Sequence, residues 1–411
     1  MSIKVLNISY SDNSGGAARA AHRINQALNG FGMDSKMLVN LKLTEDKKVF
    51  EIYSGLFRKI PRVRLLILSI LRKLFENNTN VPTSYAIFSS KIVKKINSSD
   101  ADVVLLNWIN AETLSIKDIA KIKKPVFWAM HDMWAFCGAE HFSYNSRWRD
   151  GYTKDNMSCD ERGLDLNLWT WNRKKKNWKK PFQLIPTSSW LKECIEDSEL
   201  MKSWPINLIH TPIDTIKWKP FNKLEAKKNV GFADNKPILI FCAHDGTASH
   251  HKGFDLLIKA LINLHSEIDF NLGIVGQSSP ENPIECTFDV IYLGHIFDEE
   301  KLMKIFSAAD IVVVPSRVET FGQVAAEAHA CATPVVSFDI GGLRDIIEHK
   351  KTGYLAKPFD TKDFANGIKW TLNNNTLENN LSLQSRKRVE NFFSYKVIAQ
   401  KYYQVFMDNL S

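Results

Sequence analysis

The chain alternates short, continuous apolar runs with segments of helical period almost throughout, in two successive series. The first series of runs covers 4–9, 102–106, 126–131 and 183–186. The second covers 238–243, 272–275, 290–293, 311–315 and 335–338. A strand covered on both faces of a parallel sheet reads as such a run, because neither face meets water. Amphipathic stretches lie between the runs, as in 254–264, where Phe254, Leu257, Ile258, Leu261 and Leu264 recur on one helical face. Strand–helix alternation implies βαβ units, and two series imply two doubly wound α/β domains.

The length of 411 residues agrees, being long for one hydrophobic core. The break is expected within 210–220, where Thr211-Pro212, Asp214 and Pro220 cluster as turn formers. The predicted organisation is a domain over 1–212, a second over 213–390, and a terminal segment, 391–411, packing back on the first. In that segment a helix over 394–410, capped by Ser394, is expected to bury Val397, Ile398, Tyr402, Val405 and Phe406.

Composition narrows the class further. With 44% hydrophobic and 24% charged residues the chain is ordinary for a folded protein, which argues against extensive disorder. The start, MSIKVLNISY, reads as a first strand and not as a signal peptide, and no apolar stretch approaches the roughly 20 residues needed to span a bilayer. A cytoplasmic protein is expected. The cysteines 137, 159, 194, 242, 286 and 331 are scattered without a CxxC pair, so neither disulfides nor a closed zinc site is expected.

The formal charge of +9 is concentrated in two places. Residues 56–77 (LFRKIPRVRLLILSILRKLFEN) carry six basic residues and one acid, Glu76, around a run of Leu and Ile. Residues 168–180 (LWTWNRKKKNWKK) carry six more among three tryptophans. Both mixtures suit the headgroup region of an anionic membrane, and both are also compatible with solvated surface helices. Nucleic acid is disfavoured, because no recognised reader motif accompanies the charge.

Ligands of doubly wound sheets bind beyond the carboxyl ends of the strands, so motifs that follow strands come first. After IVVVPS, Glu319 stands at the strand exit, Phe321-Gly322 at the start of a helix, and Glu327 two turns further on. A helix N-terminus attracts phosphate, glycine permits close approach, and carboxylates accept hydrogen bonds from sugar hydroxyls. Taken alone, two solvated acids on a surface helix is the simpler reading. In FCAHDGTASHHKGFDLL, Lys252-Gly253 opens another helix, where a lysine can neutralise a diphosphate. The loop 11–18 places Gly15 and Gly16 before a helix. It lacks the GxGxxG pattern, and no ribose-binding acid follows, so nicotinamide binding is disfavoured. His131-Asp132, Asn107-Trp108, Val275-Gly276 and Gly294-His295-Ile296 also end strands.

The spacing of Glu319 and Glu327, followed by ACATPVV and GGLRDII, resembles retaining glycosyltransferases of the GT-B fold, family GT4. PSRVETFG, EAHACATPVVSFDIGGLRDII and KKTGYL carry the likeness in the second half. SGGAARAAHRINQALNGFG and FWAMHDMW carry it in the first, and resemble the group that builds bacterial capsule, exopolysaccharide and O-antigen chains.

The resemblance implies two Rossmann-like domains facing across a cleft, the first on the acceptor side and the second holding a nucleotide sugar. It assigns Glu319 to hydroxyls of the donor sugar and Glu327 to the ribose. Phe321, Gly322 and Gln323 would bring backbone amides to sugar and diphosphate, and Lys252 would meet the departing diphosphate. Gly15 and Gly16 would face the diphosphate, as would Gly246 and Thr247, with Arg19, Asn107 and Trp108 at the acceptor, His131 at the donor sugar and Ile296 at the base.

The arginine that such enzymes carry before the lysine is absent. Gly246 and Thr247 occupy its place, with His244, His250 and His251 nearby. The stretch after HDMW keeps only Cys137, His141 and Cys159 as soft ligands, too few for a zinc site. The implied reaction moves a hexose from UDP or GDP to a hydroxyl of a glycan acceptor, lipid-linked, with no cofactor or metal, for surface polysaccharide. Glu319 and Glu327 would not act as a glycosidase pair. A sugar-nucleotide epimerase of the same fold and a catalytically degenerate scaffold stay open as alternatives.

Overall fold

The computed structural model describes residues 2–410 apart from 54, 76–80, 158–162, 233–235, 245, 282–285 and 377–378; side chains at 56, 57 and 71–75 are likewise outside the description. Glu76 and Cys159 therefore lie outside the described residues. The chain forms two compact units, 1–210 with 398–411, and 211–397.

Among the described residues each unit carries one six-stranded sheet. The first contains β1 (Lys4–Ser11), β2 (Asp34–Leu41), β3 (Val49–Glu51), β4 (Val103–Leu106), β5 (Val126–Met130) and β6 (Gln183–Pro186), in the order β3-β2-β1-β4-β5-β6. The second contains β7 (Ile238–Cys242), β8 (Asn271–Val275), β9 (Asp289–Gly294), β10 (Ile311–Val314), β11 (Val335–Phe338) and β12 (Gly353–Ala356), in the order β12-β11-β10-β7-β8-β9. Every pairing in both sheets is parallel. This is the doubly wound α/β architecture expected from the two series of apolar runs. Strands β4, β5, β10 and β11 are buried at every position, which is why they read as unbroken apolar runs.

β2, β3 and β12 were not among the expected strands. β2 opens with Asp34, Ser35 and Lys36, a turn-like composition, yet Ser35 is fully buried. Its hydroxyl donates to Asn25 Oδ1 at 2.8 Å and accepts from Asn7 Nδ2 at 2.7 Å. A satisfied polar network can sit inside a core, and composition alone does not reveal it.

The helix Phe254–His265 buries Phe254, Leu257, Leu261 and Leu264 as expected, with Ala260 in place of the half-buried Ile258. The last helix, Tyr395–Leu410, buries Ile398, Ala399, Tyr402 and Phe406, while Val397 and Val405 are only half-buried. Ile398, Tyr402 and Phe406 join a cluster with Ile3, Val5, Phe127 and Ile185 under the first sheet, and the Phe127 and Phe406 rings meet edge-on at 4.8 Å.

The second basic segment turns out to be partly internal. On the helix Leu166–Asn177, Lys174 is fully buried, its ammonium 3.9 Å from the centre of the Trp134 ring and donating to the carbonyls of Trp134, Cys137 and Gly138. Arg173 donates to the carbonyls of Tyr85 and Ala86, and Trp171 and Trp178 are core residues. Two of its six charges and two of its three tryptophans thus hold the fold together, while Lys175, Lys176, Lys179, Lys180 and Trp169 stay exposed. Among the described residues no helix is long and apolar enough to cross a membrane.

Candidate active site

In the second sheet the chain winds outward from β7 through β8 and β9, then restarts on the other side of β7 with β10. The gap between β7 and β10 is therefore the topological switch point, where the loops leaving two adjacent strands diverge and leave a crevice. Lys252 leaves β7 and Glu319 leaves β10. The Lys252 ammonium donates to Glu319 Oε2 at 2.7 Å, and Ser316 Oγ donates to the same oxygen at 3.2 Å. Both side chains keep some exposure, 28% for Lys252 and 17% for Glu319, so a ligand can reach them.

Two devices hold the β7 and β10 exits together. The Arg317 guanidinium donates to both carboxylate oxygens of Asp255 at 2.7 Å and to the His250 carbonyl at 2.8 Å, while its backbone N–H donates to the His251 carbonyl at 2.8 Å. The Arg317 bond holds the Asp255 carboxyl below its usual range. The second device is Gly253. Its φ is +69°, and a Cβ there would lie 2.0 Å from the Pro315 carbonyl oxygen. Only glycine lets the loops approach this closely.

Gly322, with φ +103°, caps the helix Gln323–Ala330, which has no side-chain cap. The positive end of that helix therefore points beyond the carboxyl edge of the sheet, beside Glu319. The Phe321 ring is a core residue packed edge-on against Phe393 at 5.8 Å, so only its backbone can serve a ligand. Gln323 is half-buried. Glu327 is 1% exposed, which corrects the simpler reading of two solvated acids. Its charge reaches inward: burial, and then Glu327, raise the Cys331 thiol above its ordinary range.

Thr247 donates its N–H and its hydroxyl to Gln277 Oε1, at 2.9 and 2.7 Å, so the loop of Gly246 and Thr247 is tied to the exit of β8. His244 and His250 are exposed, and the His251 ring bonds Ser249 Oγ at 2.9 Å. Ile296, after β9, is half-buried against the core, beside a stacked His295–Phe297 pair. Ser316, Arg317 and Gln277 were not singled out from the sequence. Their only signal was adjacency to a strand exit, and their roles depend on which strands are neighbours.

The first sheet has its own switch point, between β1 and β4. Beyond β1 the loop is rigid: buried Asp12 accepts from the N–H groups of Leu43 and Thr44 at 2.7 and 2.9 Å and from the Thr44 hydroxyl at 2.6 Å. Gly15 follows with φ +86° and starts the helix Gly15–Gly30, with Gly16 exposed on its first turn and Arg19 half-buried at the start of the second.

At the exits of β4 and β5, His131 Nε2 lies 3.1 Å from Asn107 Oδ1. Asn107 spends its amide on Asn7, so the network assigns the ring proton to Nε2. Burial, opposed in part by Asp132, pushes His131 down to about 4, so it is neutral at pH 7. Asp132 accepts from the Trp108 indole (2.8 Å) and the Trp134 N–H (3.0 Å), and meets His141 Nδ1 at 2.6 Å. Burial raises this carboxyl, but the charge of His141 and these bonds outweigh it and hold it below the ordinary range. His141 is thus the partner of Asp132 and of Ser84 Oγ at 2.9 Å, and Cys137 is fully buried. A small cavity at this edge is lined in part by Asn107, Trp108, Asn110, His131, Asp132 and Trp134.

Residues 222–388, which include Lys252, Glu319, Gly322 and Glu327, match the family described as Glycosyl transferases group 1. The chain is similar over 99% of its length, and over 99% of that chain, to sucrose-phosphate synthase from Thermosynechococcus elongatus, with a TM-score of 0.68 at 17% identity. The fold is GT-B. It is also similar to Anabaena HepE, solved in complex with UDP-glucose: TM-score 0.63, 17% identity, 99% of this chain and 100% of that one. Among curated relatives, N-acetyl-alpha-D-glucosaminyl L-malate synthase of Bacillus anthracis is 27% identical over 230 residues, 52% of this chain and 58% of that one. The chain spans less than two thirds of the length of the first curated relatives it matches.

Proposed function

We propose that this GT-B chain transfers a hexose from a UDP- or GDP-sugar to a hydroxyl of a glycan acceptor, with retention at the anomeric carbon and without a metal. One observation carries the reading. At the switch point of the second sheet, the Lys252–Glu319 pair lies beside the start of the helix Gln323–Ala330, whose glycine cap brings no side chain to its N–H groups. A diphosphate would draw the lysine ammonium away from Glu319, release that carboxylate to the sugar hydroxyls, and set its own charge against the helix N-terminus. As the anomeric bond breaks, Lys252 and the helix stabilise the departing diphosphate. The acceptor hydroxyl then attacks from the face the diphosphate leaves, and its proton passes to the departing phosphate oxygen. Glu319 paired to a lysine and Glu327 buried in a helix are poorly suited to act as glycosidase nucleophile and acid, which favours this route.

The matched family segment and the likeness to a protein solved with UDP-glucose support the donor class. The curated relative's name gives an L-malate glycoside, so a small hydroxy acid is the competing acceptor class. A lipid-linked glycan of bacterial surface polysaccharide synthesis, used at the cytoplasmic side of the membrane, is the acceptor proposed here.

The test is a panel of UDP- and GDP-sugars scored for donor hydrolysis and transfer, with Glu319→Ala as control. The variant is expected to lose about 100-fold or more in turnover while keeping its thermal unfolding midpoint. Wild-type turnover in that variant would remove Glu319 from the donor site.

A further inference from the structure

The helix Ile60–Phe75 in the first unit has an exposed stripe. Val63 is 52% exposed, Leu66 61%, Ile67 40% and Ile70 54%, all on one face at helical spacing. A helix normally turns such a stripe to the core. Here Pro61, Leu65 and Leu68, buried or half-buried, form the inner face, and a cation on its flank adds an anchor. Arg64 points inward, donating to the carbonyls of Ser89 at 2.8 Å and Glu112 at 3.2 Å, with its guanidinium 6.0 and 5.9 Å from the Tyr53 and Phe88 rings. Arg58, Lys59 and Arg62 are exposed at the start of the helix, and Arg58 pairs with Glu51. The outer face thus combines an apolar stripe with a cationic end.

We propose that this face docks on an anionic lipid bilayer, with Val63, Leu66, Ile67 and Ile70 entering the headgroup boundary and Lys59 and Arg62 meeting lipid phosphate. Charge complementarity selects the occupant. An anionic membrane fits stripe and cations together. The location adds a purpose. The Arg64 bond to the Glu112 carbonyl sets the helix against the loop that leaves β4. A bilayer held by this helix would present lipid headgroups beside the switch point of the first sheet, where an acceptor with a lipid anchor has its sugar end at hand. The inference goes beyond the transfer reaction, and lipid binding is measured with no sugar donor present, so either can fail alone.

The full chain is sedimented with vesicles of phosphatidylcholine alone or with about one third phosphatidylglycerol. The expected result is binding to the anionic vesicles only, weakened by salt. It should fall about tenfold or more in Leu66→Gln/Ile70→Gln and, separately, in Lys59→Glu/Arg62→Glu. All four positions are exposed, so unfolding midpoints should stay within about 2 °C of wild type. Equal binding to neutral vesicles, unchanged binding in both variants, or no binding by the wild type would each overturn the proposal. So would a concentration-dependent dimer that the Leu66/Ile70 variant abolishes, since the face would then join two copies.

Discussion

Replacing Gly253 by alanine tests whether the two loops at the second switch point must touch. The added Cβ would lie 2.0 Å from the Pro315 carbonyl oxygen, against 3.4 Å for an ordinary contact, so the loops must part by about 1.4 Å. Holding alanine at φ +69° adds roughly 1–2 kcal/mol of backbone strain. With the steric shift of an overpacked contact, the total loss of stability should be about 2–4 kcal/mol. The chemical effect should be larger than the thermodynamic one. The same displacement pulls on the Arg317–His251 backbone bond and on the Lys252–Glu319 pair, now 2.8 and 2.7 Å long. A misplacement of about 1 Å at reacting groups can cost ~100-fold in rate. Urea unfolding measures the first loss, and donor hydrolysis with UDP calorimetry the second. Gly253→Asn separates strain from clash, because asparagine tolerates the left-handed region but carries the same Cβ. Both variants should lose activity. Full activity in Gly253→Asn would leave only strain at work, and full activity in both would refute the closed-loop argument.

Other predictions follow from single side chains. Glu327→Gln keeps the buried volume and should weaken UDP or GDP binding about tenfold by calorimetry; unchanged affinity would place the ribose elsewhere. His131 is held at about 4 in the folded protein, against an ordinary value near 6.5, so the unfolded chain takes up the extra proton first as pH falls between those limits. Stability should therefore drop across that window, and His131→Gln should flatten the slope by roughly one proton per molecule; identical slopes in denaturant titrations would contradict the assignment. Lys174→Met should cost about 3 kcal/mol in urea unfolding, because three buried carbonyls lose their donor. An unchanged midpoint would show the ammonium to be dispensable.

The strands that position the site were legible because they are the most buried ones. Runs such as IVVV and VVSF show no alternation, and that absence is itself the mark of a parallel sheet covered on both faces. β2 escaped because its leading residues are polar and its buried serine is satisfied by asparagines from elsewhere in the chain. At the site, the residue types after each strand could be read directly, but their partners could not. Lys252 and Glu319 are 67 positions apart, and only the order β10-β7 makes them neighbours. Arg317 stood two residues before Glu319 as an unremarked cation until that order set it against Asp255. The basic segments show the opposite limit. Composition described 56–77 and 168–180 in the same terms, yet one presents its apolar residues outward and the other folds a lysine into the core.

The helix Tyr395–Leu410 has a consequence for how the chain is made. Its Ile398, Tyr402 and Phe406 complete the cluster of Ile3, Val5 and Phe127, and all of 211–397 is translated between those two sets of residues. On the ribosome, the first unit waits with an open apolar face while the second, continuous in sequence, is synthesised and free to fold. A nascent chain paused near residue 390 should therefore expose that face to chaperones, and a gene fragment ending at 210 should yield an aggregation-prone product.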